Sequence, residues 1–132
     1  MSAATVRDSL ALALESFVTA PIYIEQPDAL TPEAVTVEWE STQPADLPGM
    51  VSHALQLVCW PYTDLTTRGP NSHYASRDRL LEGCIECVYQ WVPPQGAAMT
   101  SWDAALDERD LGQQRTRVAV VTTYITDSYL CA

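Results

Sequence analysis

An α+β fold follows from three observations on this sequence. Two segments carry apolar residues at helical spacing, three carry alternating or β-branched residues, and prolines or glycines separate them. The order is helix, strand, strand, helix, a segment open to two readings, and strand. We expect a small antiparallel sheet of three to four strands with two amphipathic helices packed on one face. At 132 residues and 47% hydrophobic, the chain has the size and apolar content of one domain, residues 1–132.

Thr5 to Asp8 reads as a capping box, with Thr5 as N-cap and Asp8 reaching back to its amide. Leu10, Ala13, Leu14, Phe17 and Val18 then fall on one helical face until Pro21. The proline-rich run "PIYIEQPDALTP" reads as an extended connector. In "AVTVEWES", Val35, Val37 and Trp39 alternate with Glu38 and Glu40, the pattern of a half-buried strand. After the turn "QPADLPG", the run "VSHALQLVCW" gives a second strand. Its later half is apolar on both sides, which predicts a central position.

Residues 61–75 read as a long polar loop, and Ser76 as the N-cap of a second helix. Leu80, Leu81, Cys84, Ile85, Val88, Trp91 and Val92 recur at helical spacing until Pro93-Pro94. Residues 95–114 read as a second long loop, holding either a strand near Met99 to Asp103 or a short acidic helical turn. "RTRVAVVTTYIT" closes the set as a strand, with Val118, Val120, Thr122 and Tyr124 opposite Ala119, Val121, Thr123 and Ile125.

Seventeen acidic residues against seven arginines and no lysine give a formal net charge of -10. Such a chain repels phosphate backbones and anionic membranes instead of gripping them. "LALALESFVTA" mimics a signal peptide, but Asp8 and Glu15 interrupt it. No apolar run has the length a bilayer demands. A soluble protein made in a cytoplasm, with free thiols, is the expectation.

"EGCIECVYQWVPP" holds the motif most suggestive of chemistry, Cys84-x-x-Cys87. A redox dithiol stands at a helix start, where the amides lower a thiol pKa. Here both cysteines lie deep in a predicted helix beside Glu82 and Glu86, and Cys84 shares the apolar stripe. They read as core residues. A structural zinc site asks for a second ligand pair, and Cys59, Cys131, His53 and His73 are isolated. His53 and Cys59 share a strand face but stand about 20 Å apart. No Gly-x-Ser-x-Gly elbow, phosphate-binding glycine loop or His-Glu-x-x-His pattern occurs. Asp103, Asp107, Glu108 and Asp110 lack calcium-loop spacing and read as a solvated face. No catalytic residue, metal ligand or cofactor is expected.

What remains is an acidic domain with four tryptophans, Trp39, Trp60, Trp91 and Trp102, each explained as well by core packing as by interface anchoring. The succession "RDSLALALESFV", "IYIEQPDALTPEAVTVEW", "HALQLVCW", "SRDRLLEGCIECVYQWV" before "PP", and "RTRVAVVTTYIT" resembles the tail terminator proteins of long-tailed bacteriophages over residues 5 to 126. The resemblance implies helices on one face of a small sheet and a ring, usually of six copies. That ring ends the tail tube at its head-proximal end and joins it to the head. It implies as partners the chain itself, the tail tube protein and a head-side connector or stopper, with DNA passing through unbound. It implies no catalytic residue and a place in the virion neck. On this reading Trp60, Tyr62, Arg68, Trp102, Arg115 and Arg117 are interface candidates, and Glu38 and Glu40 are candidates to face an acidic lumen. Arg77 and Arg79 join the arginines available to offset repulsion between copies. Residues 61–75 and 95–114, long for a minimal member, read as arms toward neighbours or as signs of a different neck protein. The other readings kept open are a head-completion or tube-related phage subunit, and a small thiol or zinc protein using Cys84 and Cys87.

Overall fold

The computed structural model describes residues 2–62 and 69–128. Along the chain run α1 (Ala3–Leu14), β1 (Ile22–Ile24), β2 (Ala34–Pro44), β3 (Met50–Trp60), α2 (Gly69–Gln90), β4 (Ala97–Leu111) and β5 (Gln114–Ser128). The strands form one five-stranded sheet in the order β1-β2-β3-β5-β4. The class is α+β as expected, but the sheet is larger and mixed. β1 runs parallel to β2, and the other three pairings are antiparallel.

α1 starts earlier than the capping-box reading places it. Ser2 is the N-cap, and its hydroxyl accepts the Thr5 N–H at 3.2 Å. Thr5 therefore stands inside the first turn. Val6, Leu10 and Leu14, each four residues apart, bury one face completely. α2 also starts earlier than expected, so residues 69–75 of the expected loop at 61–75 are helical; residues 63–68 lie outside the described part. Ser76 is an interior helix residue, 1% exposed, that accepts the Tyr62 N–H and donates to Glu33. α2 stops at Gln90, ahead of Pro93 and Pro94, which cannot continue a helix.

Of the two readings of 95–114, the strand near Met99 to Asp103 holds, but it is far longer than expected and the segment is most of a long hairpin, not a loop. β4 occupies Ala97–Leu111, and Gly112 turns the chain at φ 63 into β5. β1 lies inside the proline-rich connector. It is anchored by Val35 N–H to Pro21 O at 2.9 Å and by Glu25 N–H to Val37 O at 3.0 Å.

Both helices cover one face of the sheet. Val6, Leu10 and Leu14 of α1 and Leu80, Cys84, Cys87 and Val88 of α2 pack there on Val35, Val37, Leu55, Leu57, Cys59, Val121 and Ile125. The opposite face carries a smaller cluster: Ala34, Val58, Trp60, Val118 and Val120, with Leu30 and Leu111 against it. β3 is central and apolar on both sides in its later half, as the sequence predicts.

Candidate functional site

The sulfur cluster comes first because the sequence singles it out. Cys84 and Cys87 lie on the buried side of α2, and both are shut off from solvent. Cys59, at the end of β3, brings its sulfur to 3.6 Å from that of Cys84. The hydrogen bond with Cys59, then burial and the neighbouring sulfur's charge, push the Cys84 thiol well above its ordinary value. Burial, then the charge of Cys84, pushes the Cys87 thiol to about 11. Burial and a raised pKa make these thiols weak nucleophiles that pack as small apolar side chains. Among the described residues, no group of three His, Cys, Asp or Glu side chains could hold a metal ion.

A polar string runs under one end of the same sheet face. The Trp39 indole N–H donates to Thr42 Oγ1 at 2.8 Å, and that hydroxyl meets His53 Nδ1 at 2.8 Å. His53 Nε2 lies 3.4 Å from Asp127 Oδ2, and both residues are buried. β2, β3 and β5 place the string, since Thr42 pairs with His53 and Asp127 pairs with Val51. A β-bulge between Trp39 and Ser41 keeps both Trp39 and Thr42 on the helix side. The Thr42 oxygen is already held by the indole, so the string reads as a lock between three strands. Sequence inspection missed it because its members lie far apart in the chain.

The hairpin tip forms the third feature. Arg109 pairs in the ladder with Thr116, yet its guanidinium reaches Gln56 Oε1 at 2.8 Å and Glu38 Oε1 at 3.5 Å. Gln56 pairs with Thr122, six residues further along β5. The hairpin must therefore bend back over the face that the helices leave open. Gln26 adds a hydrogen bond to the Asp110 carbonyl, and Leu111 packs into the small cluster. Asp107 is held below the usual carboxylate range, first by the Arg109 hydrogen bond and then by the Glu108 N–H. The outer side of the tip carries Glu108, Asp110, Arg115 and Arg117. Arg115 pairs with both acids, while Arg117 is exposed and, among the described residues, has no acidic partner.

The candidate interface residues thus scatter. Trp60 is a core residue, fully buried, with its indole N–H donated to Thr36 Oγ1 at 3.0 Å. Tyr62 is half-buried beside the N-terminal part of α2, where His73 Nδ1 meets its carbonyl. Trp102 is half-buried and meets the Tyr89 ring edge-to-face at 5.6 Å. Arg115 and Arg117 share the tip, and Arg68 lies outside the described residues. Of the two candidate lumen acids, Glu38 is half-buried under Arg109, whereas Glu40 is exposed at the bulge.

No family model matches this chain, and no curated protein is significantly similar to it. None of the helices among the described residues is long and apolar enough to cross a membrane.

Proposed function

We propose that this chain is a structural subunit of a phage tail–head junction, a tail-terminator-like protein that works by contact with copies of itself and with the tail tube. One observation supports this reading above others. The helices occupy one side of the sheet, and β4, a 15-residue edge strand, leaves most of its side chains exposed, with no element of the same chain over Asp103 to Glu108. A surface so extended and so little used internally suits a protein whose work is assembly.

The acidic surface supports the same reading. Seventeen carboxylates against seven arginines would keep a channel from adhering to DNA. Glu40 is the freer of the two candidate lumen acids, because Arg109 neutralises Glu38. The buried, protonated thiols favour this reading over thiol or zinc chemistry.

The test is native mass spectrometry with electron microscopy of the purified chain, alone and with tail tube subunits. The expected result is a closed ring, six times the 14.6 kDa chain, seated at tube ends and limiting their length. Tubes that grow unchanged in its presence would overturn the proposal.

A further inference from the structure

β4 borders the sheet for 15 residues, about 50 Å of strand, while β1 on the opposite border has three. An edge of that length presents a row of N–H and C=O groups suited to another strand. Its distal end is partly closed. Asp107 Oδ1 accepts the Glu108 N–H at 2.8 Å, and the Asp110 carbonyl accepts from Gln26. Among the described residues, the backbone from Ser101 to Asp107 bonds only to β5.

Acidic side chains commonly guard such edges. Here the guard clusters at Asp107, Glu108 and Asp110 and leaves residues 101–106 with Asp103 alone. On the helix side of this open stretch lie Trp102, half-buried, and Leu106, 47% exposed. We propose that two copies of this chain join through β4, antiparallel and centred on Ala104, to make one continuous ten-stranded sheet about a two-fold axis.

Charge disfavours the two adjacent registers, and side-chain matching favours this one. Centred on Ala104, Asp107 of one copy faces Ser101 of the other, Asp103 faces Ala105, and Leu106 faces Trp102. No acid opposes an acid across residues 101–107, and two aromatic–aliphatic pairs form. Centring on Asp103 sets that carboxylate against itself. Centring on Ala105 sets Asp103 against Asp107. Centring on Leu106 sets Trp102 against Asp110. The contact is self-complementary and closed. It does not rest on the ring reading, since a two-fold pair uses only β4 and leaves β1 and the outer side of the hairpin tip free.

The test uses the full chain with Cys131→Ala, so that the buried thiols are the only other cysteines. Adding Ala104→Cys and a mild oxidant should give disulfide-linked dimers, whereas Leu106→Cys in the same background should not. Native mass spectrometry should show a dimer whose dissociation constant rises about tenfold or more with Leu106→Asp. Leu12→Asp, at an exposed apolar site on α1, should leave it unchanged. A monomer at tens of micromolar (order of magnitude), a dimer indifferent to Leu106→Asp, or a ring in which Ala104→Cys fails to cross-link would each overturn the pairing. The last of these would leave the ring reading standing.

Discussion

The sulfurs of Cys59 and Cys84 lie 3.6 Å apart where β3 meets α2, both out of reach of solvent. The first cysteine of the Cys-x-x-Cys motif is thus matched with a strand thiol, not with its motif partner. Alkylation of the native protein at neutral pH should spare Cys59, Cys84 and Cys87 and label them only as the chain unfolds. Peptide mapping after timed exposure to iodoacetamide measures this. Rapid labelling of Cys84 in the native state would revive the thiol-chemistry reading.

The same thiols set a pH dependence. An unfolded thiol ionises near 9.0, but folded Cys87 does so only near about 11. Between those values the unfolded chain binds fewer protons, so stability falls as pH rises. The contribution is fully present below pH 9.0 and is lost as pH climbs toward about 11. Cys87→Ala should flatten this decline relative to the parent in urea midpoints taken across that window. An identical slope in both proteins would contradict the assignment.

His53 and Asp127 stitch β3 to β5 at a buried end of the sheet. Asp127→Ala removes the carboxylate facing Nε2 and leaves a buried imidazole short of a partner. The expected cost is roughly 2–3 kcal/mol in urea unfolding at neutral pH. Replacing both residues with leucine should cost less than the single change, because no polar group is then stranded. Among the described residues Asp127 Oδ1 has no hydrogen-bond partner, so the pair is not an optimised one.

How legible was this fold in the sequence? Both helices, β2, β3 and β5 are readable because each buries one face, and burial writes a period of 3.6 or 2 into the residues. β4 is readable only as one of two alternatives, a strand near Met99 to Asp103, because it is an edge strand with most side chains exposed. Its partly buried residues are too few to write a clear alternation, and its acids also suit a helical turn. β1 has three residues, too few to show a period, and sits between prolines. The Ser2 cap was masked by a better-looking box at Thr5. Trp60 misled as an interface candidate because a tryptophan just before a proline resembles a loop edge. Its burial comes from Leu30 and the hairpin, elements distant in sequence. The Cys59–Cys84 contact and the Trp39–Thr42–His53–Asp127 string depend on strand register, which one sequence does not display.

Arg109 ties the hairpin tip to β2 and β3 through Glu38 and Gln56. Arg109→Ala should cost about 1–2 kcal/mol, since a half-buried charge-assisted contact is lost. Arg115→Ala, on the exposed side, should cost well under about 1 kcal/mol. Hydrogen exchange discriminates further: amides at 107–116 should exchange faster in the first variant and stay as they are in the second. Equal effects would mean that the bend over the open face does not depend on Arg109.

Gly83 marks where α2 passes the chain that follows α1. A Cβ at this position would stand 2.6 Å from the Phe17 carbonyl oxygen and 3.0 Å from Val18 Cγ2. The first neighbour is backbone and cannot rotate away, so the helix must shift off its seat. Alanine normally gains about 1 kcal/mol over glycine within a helix. Overpacking costs typically 1–3 kcal/mol. A 2.6 Å approach to backbone puts the cost at the upper end. The clash should therefore win and give Gly83→Ala a net loss of up to about 2 kcal/mol in chemical denaturation. Because Cys84 is the next residue and Cys87 lies one turn on, the same shift should loosen the thiol cluster. Alkylation of Cys84 should then quicken in the variant under native conditions. A Gly83→Ala protein as stable as the parent, with its thiols still protected, would show that the helix contact is looser than these distances require.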